Sequence, residues 1–151
     1  MTLVFLDTNV PMYAGGGPHA LREPCERVLL LVAEMPGLFV TDAEVLQEML
    51  HRYRAQNLWY RGGGVFHRFA RLMRGRIEAI GVADVEQAAL LADEYIGLSA
   101  RDLLHVAVMA RVGAETVITA DRGFDRVPQV RRLDPVVAPA WVRDYVGKDG
   151  A

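Results

Sequence analysis

Short, wholly apolar runs alternate along this chain with longer stretches of helical periodicity. Thr2–Leu6 is apolar throughout after its first residue, which predicts a buried parallel strand. Asp7-Thr8-Asn9 followed by Val10-Pro11 predicts a helix start, and the glycines at 15–17 its end. Leu21–Glu34 reads as a second helix, with Pro24 tolerated near its start and Pro36-Gly37 as its stop. Leu38–Val40 is the second predicted strand. Thr41-x-x-Glu44 has capping-box spacing, and Val45, Leu46, Met49, Leu50 and Tyr53 recur at helical intervals, predicting a helix over 42–54. The glycines at 62–64 predict a break before a helix at about 65–74. Arg76–Ile80 is a third strand candidate and Val85–Tyr95 a helix. Ser99-x-x-Asp102 opens another helix that runs to about Val112 and closes at Gly113. Thr116–Thr119 predicts a fourth strand, Asp121–Asp125 a turn and Val130–Leu133 a short fifth strand. Residues 135–151 read as a C-terminal tail, with one helical turn around Trp141, that follows a domain over 1–134.

This alternation predicts an α/β fold, a three-layer α/β/α sandwich around a parallel sheet of four to five strands. Ligands in such sheets bind beyond the carboxyl ends of the strands, where Asp7 and Asp121 both fall. The 151 residues suit one domain, and a 52% hydrophobic composition can fill its core. Cys25 is the single cysteine, which excludes an intrachain disulfide and a thiolate zinc site. No apolar run is long enough to span a bilayer, and Met1-Thr2-Leu3 lacks the basic start of a signal peptide. The expected location is cytoplasmic, without membrane association. Of 17 basic residues, 16 are Arg and the other is Lys148, so a P-loop and Schiff-base chemistry are both excluded.

The net charge of −2 conceals a strong segregation. Residues 1–50 carry a net −5 and residues 78–121 a net −6. Between them, residues 51–77 hold seven Arg and no acid, interleaved with Tyr53, Trp59, Tyr60, Phe66 and Phe69. Arg with aromatics can hold phosphates and stack bases, and Arg52, Arg54, Arg68, Arg71 and Arg74 are the candidates for RNA or partner binding. The plainer alternative is an amphipathic helical pair with solvated Arg.

Four acids occupy unusual places. Asp7 and Asp121 follow strands, Glu48 sits beside Met49 and Leu50, and Asp102 precedes Leu103-Leu104. Each has an ordinary explanation: a helix cap for Asp7, a pair with Arg52 for Glu48, the Ser99 capping box for Asp102, an Asx-turn for Asp121. Together at one sheet edge, four carboxylates need raised pKa values or a cation. Hard oxygen ligands select Mg²⁺ or Mn²⁺. Rival chemistries fit less well. Asn9 stands where a haloacid-dehalogenase-like phosphatase has its second acid, and no Gly-x-Gly-x-x-Gly is present. His19, His51, His67 and His105 show no paired ligand spacing and read as surface or core residues.

Leu6-Asp7-Thr8-Asn9-Val10, Glu48, Arg101-Asp102-Leu103-Leu104-His105 and Thr119-Ala120-Asp121-Arg122-Gly123-Phe124-Asp125 together resemble the PIN-domain family, most closely its stand-alone VapC-type toxins. The resemblance covers about residues 2–134. It implies a metal-dependent ribonuclease, a homodimer and, for the toxins, an inhibitory antitoxin protein. It implies a catalytic and metal-binding quartet of Asp7, Glu48, Asp102 and Asp121, with Asp125 as a further metal-binding acid and Asn9 and Thr119 in support. It leaves open which of Asp121 and Asp125 faces the metal. The function expected is a divalent-metal-dependent endoribonuclease of a toxin–antitoxin pair. The alternative is a catalytically weak PIN-like binding module that holds a protein partner. A nuclease for structured DNA would need added elements for which the chain has no room.

Overall fold

A computed structural model describes residues 3–149; Met1, Thr2, Gly150 and Ala151, at the ends of the predicted first strand and tail, lie outside the described residues. The strands are β1 (Val4–Leu6), β2 (Phe39–Asp42), β3 (Ile77–Glu78), β4 (Thr116–Ile118) and β5 (Arg131–Leu133). The helices are α1 (Asn9–Ala14), α2 (Arg22–Glu34), α3 (Ala43–Ala55), α4 (Trp59–Leu72), α5 (Val82–Glu94), α6 (Ala100–Val112) and α7 (Ala138–Asp149).

The strands form one sheet in the order β3-β2-β1-β4-β5, every neighbouring pair parallel. This is the parallel α/β architecture expected from the alternation. β1, β2 and β4 are buried along their whole lengths, as strands covered on both faces must be. Val4 pairs with Phe39 on one side and Thr116 on the other, which brings the carboxyl ends of β1, β2 and β4 level. The chain builds outward from β1 through β2 to β3, then returns to place β4 on the opposite side of β1. The β1–β4 junction is therefore the switch point of the sheet, where a crevice opens beyond the strand ends.

Three sequence expectations change. The glycines at 62–64 do not break the chain; α4 begins at Trp59 and runs through them. The reason is packing. A Cβ at Gly62 would overlap the Tyr53 ring, so glycine lets α4 approach α3 closely enough to cover that aromatic. Close approach overrides the poor helix propensity of glycine. The cap of α3 lies one residue later than the Thr41-x-x-Glu44 pattern suggests. Asp42 accepts from Val45 N–H at 3.0 Å, while the Thr41 hydroxyl donates to Leu6 O at 2.9 Å and ties β2 to β1. Finally, the tail is not limited to one turn around Trp141. Ala138–Asp149 is a continuous helix that sets Ala138 and Val142 into the core and lies against α2. Pro139 falls in its first turn, where a missing N–H costs no helical hydrogen bond.

The other helix ends follow local rules. Ser99 Oγ accepts from Asp102 N–H at 3.2 Å to start α6, and Gly113 ends it at φ 78°, a left-handed conformation that glycine adopts without strain. No helix among the described residues is long and apolar enough to cross a membrane.

Candidate metal centre

Asp7 leaves the end of β1 directly at the switch point. It is buried, and both carboxylate oxygens are held. Oδ1 accepts from Thr8 N–H at 2.8 Å; Oδ2 accepts from the Thr119 hydroxyl at 2.7 Å and from Asn9 Nδ2 at 3.3 Å. Asn9 also donates to Thr119 Oγ1 at 2.8 Å and accepts from Ala120 N–H at 3.1 Å, which fastens the start of α1 to the end of β4. Asn9 and Thr119 thus meet on the Asp7 carboxylate.

The rest of the quartet arrives on separate elements. Glu48 comes from the second turn of α3, where its Oε2 accepts from the Thr8 hydroxyl at 2.7 Å and its Oε1 lies 3.9 Å from Arg101. Asp102 projects from the first turn of α6. Asp121 follows β4, with its backbone N–H donating to Thr119 Oγ1 and its Oδ1 accepting from Gly123 N–H. All four line one cleft of about 260 Å³, together with Tyr13 and Arg52. Carboxylate oxygens of Asp7, Asp102 and Asp121 come within 4.8 Å of one another. Asp125 does not join them; it faces Arg132, with Nε donating to its Oδ1 at 2.9 Å.

Two residues of this region escape the sequence reading. His105, one of four histidines read as surface or core, is fully buried beneath the cleft. Its Nδ1 lies 2.7 Å from Oδ2 of Asp42, also fully buried, and its Nε2 lies 3.8 Å from Asp7 Oδ1 with no hydrogen-bond partner. Asp42 ends β2 as Asp7 follows β1, and His105 is one helical turn beyond Asp102 on α6. Those spacings are the signals that could have found them.

The electrostatics follow from this crowding. Burial pushes the Asp7 carboxyl up, and the charge of Glu48 adds to it, against the opposing effects of His105, Thr119 and Thr8. Asp102 is pushed up to about 7, by burial first and then by the charges of Asp7 and Asp121. Burial pulls the His105 imidazole down, but the Asp42 hydrogen bond and the charges of Asp42, Asp7 and Asp102 together raise it to about 9. The site thus carries an excess of negative charge over one buried imidazole. The set of donors fits a hard divalent cation: carboxylate oxygens of Asp7, Asp102 and Asp121 lie within reach of one another, and hard cations select oxygen ligands.

The basic residues are arranged differently. Arg52, Arg54, Arg68, Arg71 and Arg74 are all exposed on α3, α4 and the turn after it, and none makes a salt bridge among the described residues. Arg52 alone of them borders the acidic cleft. Arg68 borders a separate apolar groove of about 450 Å³ between α1, α2 and α4.

The PIN-domain family profile matches residues 4–130. The chain belongs to the PIN-domain family. This PIN domain is 37% identical over 133 residues to ribonuclease VapC13 of Mycobacterium tuberculosis, with 87% of this chain and 99% of that protein covered. It is 36% identical over 121 residues to ribonuclease VapC23 of the same species, with 79% and 93% covered. In fold it is similar to the crystal structure of Mycobacterium tuberculosis VapC20, described as a sarcin-ricin-loop-cleaving toxin, with TM-score 0.68, 20% identity and 83% and 95% of the two chains covered. It is likewise similar to a chain of VapBC2 from Rickettsia felis, solved with a DNA fragment from its promoter, with TM-score 0.64, 18% identity and 87% and 98% covered.

Proposed function

We propose that this PIN domain is a divalent-metal-dependent endoribonuclease and the toxin of a toxin–antitoxin pair. The observation that carries the reading is the convergence of Asp7, Glu48, Asp102 and Asp121 from four separate elements on one cleft at the sheet's switch point. The VapC ribonucleases to which the chain is similar over most of its length support the same reading.

Asp7, Glu48, Asp102 and Asp121 would hold Mg²⁺ or Mn²⁺, with Asp125 outside the set. When bound, such an ion lowers the pKa of a water and offsets charge that builds on the phosphodiester during hydrolysis. Asn9 and Thr119 fix the orientation of Asp7, and the Thr8 hydroxyl fixes Glu48. His105, held by Asp42, sets a positive charge behind Asp7 and opposes the upward push of burial on its carboxyl. Arg52 at the mouth, with Arg54, Arg68, Arg71 and Arg74 beyond it, supplies cations for the RNA backbone or a partner's acids. A cytoplasmic homodimer that an antitoxin protein inhibits completes the proposal. Residues 135–149 belong to the same folded unit through the packing of α7 on α2.

The test is cleavage of RNA in Mn²⁺, in EDTA and by Asp7→Asn, with growth arrest on expression as the cellular readout. Cleavage and arrest by the wild type, lost in both other conditions, support the reading. Undiminished cleavage by Asp7→Asn overturns it and leaves the binding-module alternative.

A further inference from the structure

The acidic cleft continues past its carboxylates. Asn9, Tyr13 and Arg52 line it on one side and also line a second cavity of about 290 Å³ on the other. That second chamber is also lined by Met12, Gly16, Gly17, Pro18 and His19. The Tyr13 and His19 rings stack along its wall, with centroids 4.4 Å apart and planes inclined by 28°. Leu21 N–H donates to the Nδ1 of His19 at 3.0 Å. Arg52 stands exposed at the boundary between the chambers and makes no salt bridge among the described residues.

These features have one ligand chemistry in common. A stacked aromatic pair offers a flat apolar face to a π-system, and a guanidinium offers a fork to a phosphate. The two lie side by side, next to carboxylates that repel phosphate unless a cation intervenes. We infer that the second chamber is a nucleobase subsite. An unpaired base next to the scissile phosphate stacks on the Tyr13–His19 pair, and Arg52 holds the phosphate that joins the two chambers. Stacking of this kind tolerates any base, because every base has a π-face. It also selects single strands and loops over duplexes, whose bases are already stacked and paired. The inference rests on the ribonuclease reading, since the strand reaches this chamber by way of the carboxylates.

The experiment uses the full chain in Ca²⁺ with single-stranded RNA heptamers, each carrying 5-iodouridine at one position. Photocrosslinking followed by peptide mapping is expected to give an adduct on Tyr13 or His19 from one preferred position; adducts confined to other residues overturn the subsite. Affinity is then measured by fluorescence anisotropy. Tyr13→Leu and His19→Ala should weaken binding of the intact heptamer about 5- to 100-fold, while Tyr13→Phe binds as the wild type does. Neither loss should occur with a heptamer that is abasic at the crosslinked position. Because His19 lies on an exposed loop, its variant tests the stacking even where Tyr13→Leu perturbs packing. Equal losses on intact and abasic RNA overturn the subsite, and cleavage by the wild type but not by Asp7→Asn then leaves the ribonuclease reading standing. No binding of RNA by the wild type overturns both.

Discussion

The acidic cleft and the basic stretch of α3 and α4 carry opposite charge and are built on opposite principles. In the cleft, side chains are tethered: Asp7 accepts three hydrogen bonds, Glu48 one from Thr8, Asp121 one from Gly123, and Asn9 and Thr119 hold each other as well as Asp7. Along α3 and α4 the Arg side chains are exposed and make no salt bridge among the described residues. Arranging atoms around a reacting phosphate requires fixed geometry. Holding a polyanion requires only charge that can follow it. The net charge of −2 conceals this separation.

The comparison can be broken most sharply at Asp7. Asp7→Asn keeps the shape and the hydrogen-bonding reach but removes the charge, and should abolish RNA cleavage in Mn²⁺ with far-UV circular dichroism unchanged. Thr119→Val keeps every charge but removes the tether, together with the acceptor for Asn9 and Asp121 N–H, and should lower kcat by about 10- to 100-fold, the range found for groups that orient metal ligands; steady-state kinetics at saturating Mn²⁺ would reveal it. A wild-type rate there would mean that Asp7 needs no holding. On the basic side, replacing Arg68, Arg71 and Arg74 together by Gln should weaken binding of all single-stranded RNAs alike. It should also flatten the dependence of log affinity on log salt by about 2, since each phosphate contact on a single strand contributes about 0.7. An unchanged slope would reduce that face to solvated surface. The smallest effect is on stability. His105 is raised to about 9 from 6.5, and Asp102 to about 7 from 3.8. In EDTA the folded chain therefore binds more protons than the unfolded one over these intervals. Its stabilisation is complete on their acid side and is lost as pH rises through the folded values. Scanning calorimetry in EDTA should show Tm falling from pH 6.5 to 9.

Much of the cleft was legible because its residues sit at punctuation marks. Asp7 and Asp121 follow apolar strands, and Asp102 stands three residues after a serine cap. Asp42 was hidden by a one-residue ambiguity, since both Thr41 and Asp42 make credible caps. Only the pairing of β2 with β1 decides it, by turning the Thr41 hydroxyl inward to Leu6. His105 was read without a role because its partners, Asp42 and Asp7, are distant in sequence. The parallel sheet followed from alternation alone, but the extents of α4 and α7 did not. Glycines within α4 and Pro139 in α7 lower local propensity, and contacts with Tyr53 and with α2 outweigh it.

The glycines inside α4 have a consequence for when that helix exists at all. Each costs an isolated helix about 1 kcal/mol relative to alanine, so α4 has little order of its own and takes it from docking on Tyr53. Amide protons at 62–64 should therefore exchange with solvent through small openings, well before those of β1 and β4. The cations that α4 displays share that lifetime, so whatever grips this surface also holds the helix shut.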